Sequence, residues 1–403
     1  MSPHYLFWNL QRPKNGALSQ ISPNWLFLSL ALAAASMIVL WQWTTVTANY
    51  GGSWSALFCT GSMVRHPPLV SLEHTYVFAN STGYDGQEYH YAAHDPFLRT
   101  GLKHYIDDAR LRYRRILVPL LAYTLALGRS AWIDSAYELV SLFSIGLGVY
   151  WSCRFTMEAG LSPYWGLLFL MFPAIPITVD RMVIDGALAA LTVGFLVYAN
   201  QTPSWKIVAI LACAAVTRET GFLLILAYSV SLVSHRDFRH AWIALLSAVP
   251  ALAWCCYVQA NTQAQPYAAS FVPLSAIVRV LTHPWTYPAS IPLVGAVLTA
   301  DYLALFGVIL AFALAFVVFI RFPAGPIQAA AVLFAAMGVV LQRTDHWQNV
   351  YDFGRVYTPL LLLLASLAVR QRKLWLLVPV ALMLPRIAAQ FVPQVLGIVR
   401  WIG

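Results

Sequence analysis

Long apolar runs punctuate this chain from end to end, and polar residues fall between the runs rather than alternating within them. The runs cover Trp25–Trp43, Trp132–Trp151, Leu161–Val179, Met182–Ala199, Ile207–Val216, Gly221–Val233, Ala241–Tyr257, Ile291–Ile320, Ile327–Leu341, Val356–Val369 and Leu374–Ala389. Ile116–Gly128 is apolar too, but too short to cross a bilayer alone. A spanning helix needs about 20 mostly apolar residues, so the pattern predicts an all-α, polytopic membrane protein with roughly 10–11 transmembrane or re-entrant helices. Barrel strands would show as alternating segments of about ten residues instead.

The runs divide a single integral membrane domain, residues 1–403. A first span at about 25–43 is followed by a loop over 45–115 and membrane helices over 116–258. A second loop over 259–290, membrane helices over 291–390 and a C-terminal segment, 391–403, complete it. The first run is too long for a signal peptide, and Trp41 and Trp43 resemble an interfacial belt, so it reads as an uncleaved span behind the basic Arg12 and Lys14. The clusters His235–Arg239, Arg321 and Arg370–Lys373 obey the positive-inside rule as cytoplasmic loops. Parity then puts 45–115, 259–290 and 342–355 outside, on the periplasmic face of a bacterial-type inner membrane. The pair of short runs around Thr217–Thr220 must form a hairpin to keep this parity. No internal repeat or separate soluble domain is visible.

Composition agrees. The chain is 60% hydrophobic and 10% charged, against about 25% charged in soluble domains. The net charge of +9 resides in short loops, where it orients the protein and attracts anionic lipid. No basic domain lies outside the membrane segments, which excludes nucleic acid as a partner. Of the five cysteines only Cys59 lies in a long loop, so no disulfide framework is expected.

The first loop breaks the pattern. "GYDGQEYHYAAHDPFLR", residues 83–99, packs Asp85, Glu88, His90, His94, Asp95 and Arg99 into one short segment beside the bilayer. A plain structural reading exists: Asp85 sits where a helix N-cap would, and Glu88 follows three residues later as in a capping box. His90 and His94 have a metal-compatible i, i+4 spacing, but no HExxH motif accompanies them, and packing is the expected role. Further on, Arg110, Arg112, Arg114 and Arg115 run straight into Ile116-Leu117-Val118-Pro119. Snorkelling could explain one arginine at a helix end. Four on an external flank oppose the orientation signal, and guanidinium pairs bidentately with phosphate.

"GYDGQEYHYAAHDP" followed by "RYRRILVPLLAYTLALG" resembles the first external loop of GT-C superfamily glycosyltransferases. These are multispanning enzymes, including GPI mannosyltransferases and bacterial relatives, that use polyprenyl-phosphate sugars. "VDRMVIDGALAAL", "VTRETGFLL" and "YDFGRVYTPLLLLL" are looser echoes. The resemblance implies a GT-C-like helical fold and a catalytic acidic residue just after the first span, matched here by Asp85. Glu88 departs from the aromatic or apolar residue common at its position. No Asp-x-Asp motif appears, which favours metal-independent chemistry while leaving a divalent metal open.

The chemistry is coherent on its own. Sugar transfer passes through an oxocarbenium-like state; the leaving phosphate needs cations, and the acceptor hydroxyl needs a base. Asp85 is the expected general base of an inverting displacement, and Arg114 and Arg115, then Arg355, the expected phosphate ligands. Glu88, Tyr89 and His90, beside Asp85, and Asp180 and Arg218, at membrane depth where charges usually face a cavity or one another, are further expected substrate contacts. For Arg218 a structural pair with Glu219 or Asp185 weighs equally. The expected partners are a polyprenyl-phosphate-linked sugar, a lipid or glycan acceptor, and membrane lipids. The alternative from another class is a transporter or flippase for a lipid-linked or anionic substrate, which would show two pseudosymmetric halves around a midplane site.

Overall fold

The computed structural model describes residues 23–403 apart from 264–268, 284, 288–293, 323–324, 341, 344 and 348. The basic N-terminal residues Arg12 and Lys14 lie outside the described residues. Helices make up about three quarters of the structure. In chain order they are α1 (Pro23–Asn49), α2 (Pro68–Leu72), α3 (Asp85–His94), α4 (Ala109–Arg114), α5 (Leu117–Leu125) and α6 (Ser130–Glu158). Next come α7 (Ala174–Arg181), α8 (Asp185–Tyr198), α9 (Trp205–Thr217), α10 (Phe222–Ser234), α11 (Phe238–Leu246) and α12 (Val249–Asn261). The chain closes with α13 (Ser275–Thr282), α14 (Val294–Arg321), α15 (Pro326–Val340), α16 (Val350–Gln371), α17 (Val378–Ala389) and α18 (Val392–Ile402).

Among the described residues five helical stretches are long and apolar enough to cross a membrane: α1, α6, the joined α11 and α12, α14 and α16. The number is seven if each of two bent pairs is one crossing. This is an all-helical, multi-pass membrane protein. One bent pair lies in the run expected as Leu161–Val179, where the 3₁₀ turn Pro163–Met171 meets α7 at 60°. Pro173 sits at the break, and a proline ring cannot continue the hydrogen-bond ladder. The other pair joins Leu374–Ala389 to α18 at 41°. The four shorter apolar stretches are Asp185–Tyr198, Trp205–Thr217, Glu219–Ser234 and Pro326–Val340.

Burial separates the helices by depth in the bundle. Only 22% of the apolar window of α1 is buried, against 83% for α16. Trp25, Leu32 and Leu40 of α1 therefore face outward, where lipid would cover them. α16 is the central post, and α8 is buried on nearly every side. A helix apolar all round belongs in such an interior.

The loop expected over 45–115 is ordered, and its aromatic content is the reason. Tyr89, Tyr91 and Tyr113 are fully buried beneath it, and Tyr50, Tyr76 and Phe78 pack ring against ring. Two short parallel strands, β1 (Thr60–Gly61) and β2 (Val77–Phe78), close it. The Gln87 side chain takes the amide of Gly61 at 3.1 Å and donates to the carbonyl of Thr82 at 3.0 Å. A second pair, β3 (Ala269–Ser270) antiparallel to β4 (Gln342–Arg343), ties the 259–290 loop to the segment before α16. Gly86 sets the depth of α3: a Cβ there would stand 2.2 Å from the carbonyl oxygen of Arg181 and 2.8 Å from that of Phe58. Only glycine lets the first turn of α3 lie against the end of α7.

Candidate functional site

Asp85 opens α3, but not as its cap. Tyr84 is the N-cap residue and makes no side-chain cap bond. The expected capping box is not formed, because Glu88 accepts instead from the amide of Asp107 at 3.3 Å. The carboxylate of Asp85 is turned into the protein, where Oδ2 meets Arg112 Nη1 at 2.7 Å and Arg355 Nη2 at 2.5 Å. These arginines come from different layers. Arg112 stands on α4, whose start is capped by Asp108 accepting from the amide of Leu111 at 3.0 Å. Arg355 stands in the second turn of α16, capped by Asn349 accepting from the amide of Asp352 at 2.9 Å. The loop and the central membrane helix are thus joined through one carboxylate.

Each guanidinium has further partners. Arg112 donates from Nε and Nη2 to both oxygens of Asp107, at 2.9 and 2.8 Å, a bidentate fork. Arg355 reaches Asp352 Oδ1 at 2.9 Å and Asp185 Oδ2 at 3.4 Å. Asp352 also accepts from the Tyr84 hydroxyl at 2.8 Å, and the Tyr84 ring lies 4.9 Å from the Arg355 guanidinium. The other oxygen of Asp185 holds Arg218. This is the structural pair weighed for Arg218, and it links Arg218 to Asp85 through Asp185 and Arg355.

The carboxylates of the loop titrate in opposite directions. Burial pushes Asp85 upward, but the charges of Arg112 and Arg355 and their hydrogen bonds overcome it and hold the acid well below its usual range. Asp107 is also held low: burial opposes, and Arg112 prevails. Glu88, buried beside Asp107, goes the other way, pushed up to about 8 by burial and by the negative charge of its neighbour. The surroundings of Asp85 thus favour the carboxylate, and those of Glu88 favour the neutral acid.

The remaining expected residues distribute unevenly. Arg115 is buried and paired with Glu219 at 2.9 Å, and it donates to the Tyr89 hydroxyl at 3.4 Å. Tyr89 lies under Arg112, its ring 5.7 Å from the guanidinium, and so joins the cluster. Arg114 is half-buried, with a buried Nε that has no hydrogen-bond partner among the described residues. Its helix packs on α12, where the Trp254 indole donates to the carbonyl of Tyr113 at 2.7 Å. Asp180 lies in a neighbouring group, accepting from Gln394 of α18 at 2.9 Å and facing Arg181 at 3.4 Å. Arg181 stacks between Tyr84 and Tyr351. His90 points away from Asp85 and meets Asp134 of α6 at 2.7 Å.

The residues not anticipated as site members are Arg112, Asp352, Asp185, Asp107 and Tyr84. One of them carried a legible signal: Asp352 stands three residues before Arg355 on α16, a spacing that pairs side chains on one helical face. Arg112 and Arg115 are buried where Arg110 and Arg114 are not, but Arg115 already lies past the end of α4. Comparison with known proteins adds nothing to this geometry: no family model, no curated protein and no solved structure matches the chain.

Proposed function

We propose that the chain is an integral membrane glycosyltransferase of GT-C type, transferring a monosaccharide from a polyprenyl-phosphate donor to a lipid or glycan acceptor on the periplasmic face. The observation that supports it is the clamp on Asp85: one carboxylate, at the head of an ordered loop helix, between guanidiniums from the loop and from the central membrane helix. A base plus two arginines is the minimal set for displacing a phosphate from an anomeric carbon. In this reading the four shorter apolar helices complete the 10–11 membrane segments expected from hydropathy.

With no donor bound, Asp85 is a poor base, because its negative charge is already spent on two cations. The donor phosphate presents the same chemistry to the arginines as Asp85 does. Its arrival draws Arg112 and Arg355 off the carboxylate, and Asp85 regains basicity only when the donor is in place. The acceptor oxygen then attacks the anomeric carbon as its proton passes to Asp85. The bond from that carbon to the phosphate oxygen breaks, and polyprenyl phosphate leaves with its new charge held by the arginines. A single displacement inverts the anomeric centre. No divalent metal is required by this scheme. Incubation of the purified protein with polyprenyl-phosphate sugars and a membrane-lipid acceptor tests it, read by release of polyprenyl phosphate.

A further inference from the structure

A second cluster of ligand-type side chains lies toward the other end of α3, about 7–13 Å along the helix from Asp85 at 1.5 Å per residue. It consists of Glu73, just after α2, His90 and His94 of α3, and Asp134 near the start of α6. One donor atom from each falls within 4.8 Å of all the others. The separations are 2.7 Å from His90 Nε2 to Asp134 Oδ1, 3.2 Å between the two imidazole Nε2 atoms, 3.5 Å from His94 Nε2 to Glu73 Oε2, and 4.0 Å from His90 Nε2 to Glu73 Oε2. A tetrahedral zinc ion with bonds of about 2.0–2.2 Å separates its ligand atoms by about 3.3 Å. The cluster therefore has nearly the right dimensions with no ion to organise it.

Proton counting points the same way. Ser130 donates its only hydrogen to Glu73 Oε1 and lies 3.2 Å from His94 Nδ1. It can therefore only accept from Nδ1–H, and in a neutral His94 ring Nε2 is then a lone pair facing His90. Glu73 Oε2 is buried and has no hydrogen-bond partner among the described residues. Two carboxylate oxygens and at least one imidazole lone pair thus converge, with at most the Nε2 proton of His90 among them. His90 is fully buried and stacked on Phe58, with ring centroids 4.2 Å apart, so its ring cannot turn away. Lone pairs held together in this way repel one another unless a cation lies between them. Ser130 fills the place of the outer-shell group that orients a metal-bound histidine. A cleft of about 330 Å³ with Asp134 and Glu138 in its wall lies beside the cluster.

We propose that Glu73, His90, His94 and Asp134 bind one zinc-class divalent cation, which pins the loop and α3 to the start of α6. Two imidazoles with two carboxylates form a donor set of the type zinc takes, and four protein ligands close the coordination sphere, so the role is structural. The site is separate from Asp85 and does not depend on the activity proposed there.

The test uses the full chain purified in detergent, stripped with a chelator and titrated with Zn²⁺ and Co²⁺. The expected results are one equivalent of zinc per chain, the intense visible bands of tetrahedral Co²⁺, and a melting temperature that falls on chelation and recovers with zinc. Ser130→Ala should fold and bind zinc roughly 10- to 100-fold more weakly, the usual cost of an outer-shell loss. His94→Gln should lose stoichiometric binding. Glu138→Gln, on the cleft wall but outside the ligand set, should bind as the wild type does. Absence of stoichiometric zinc in the wild type, or unchanged affinity in both Ser130→Ala and His94→Gln, would overturn the proposal and leave a hydrogen-bonded ion cluster.

Discussion

Asp85→Asn separates the ways in which this carboxylate could matter. The substitution keeps the shape and one acceptor oxygen but removes the charge. Neither guanidinium is left alone, because Arg112 keeps Asp107 at 2.8 Å and Arg355 keeps Asp352 at 2.9 Å. The penalty of about 3–5 kcal/mol for stranding a buried charge therefore does not apply, and the variant should fold. If donor phosphate and Asp85 compete for the same arginines, binding in the wild type must first give up a charged hydrogen bond worth about 1.5–3 kcal/mol. Asparagine removes that competitor. At 1.4 kcal/mol per decade, the variant should bind a prenyl-phosphate probe roughly 10- to 100-fold more tightly. Turnover should fall by about 10²–10⁴, the usual contribution of a general base. Calorimetric titration of the probe and a transfer assay read the two effects on the same preparation. Unchanged or weaker probe binding would refute the competition, and wild-type turnover would remove Asp85 from the reaction.

Arg355→Lys should weaken probe binding by at least about tenfold, since an ammonium replaces the fork that reaches Asp85, Asp185 and Asp352 by a point charge; equal affinity would place the phosphate elsewhere. Glu88 has a folded-state pKa raised to about 8 from 4.5, so its contribution to stability is complete below about 4.5 and is lost as pH rises through 8. Melting temperatures of the wild type should thus fall between about pH 4.5 and 8 and level off above that, and Glu88→Gln should flatten that fall; parallel curves would show that Glu88 is not the buried acid. In a background without the five native cysteines, the exposed positions Thr82 and Gln263, changed to cysteine, should label from one side of the membrane, and Arg236→Cys from the other. Opposite labelling of the first two would separate the loops that the proposed function needs on one face.

The helices were legible wherever burial in an apolar medium is the only requirement. Within the described residues the run Ile291–Ile320 is α14, Val294–Arg321. Hydropathy failed where a helix turns amphipathic: α16 begins at Val350, six residues before its apolar run, because its first two turns carry Asp352 and Arg355 inward. It failed also at Pro173, where a bend divides one continuous apolar run, and at α18, which is too short and polar to register as a run. In the candidate site Asp85, Arg355, Tyr89 and Arg218 were reachable from charge in an unusual place. Choosing Arg112 over Arg114 required the helical phase of α4, which a six-residue helix between two loops does not announce. The pairing of Asp85 with Arg355 spans 270 positions and follows only from the fold.

Glycosyl transfer itself is the most direct test of the account. The purified protein, reconstituted in lipid nanodiscs, would be given a panel of radiolabelled polyprenyl-phosphate monosaccharides together with membrane-lipid acceptors. The account predicts that at least one donor yields a labelled acceptor of inverted anomeric configuration and an equal amount of polyprenyl phosphate, and that Asp85→Asn slows the formation of both by about 10²–10⁴. Protein that binds the donors but releases no polyprenyl phosphate from any of them, and instead moves a lipid-linked substrate across sealed vesicles, would contradict it in favour of a transporter.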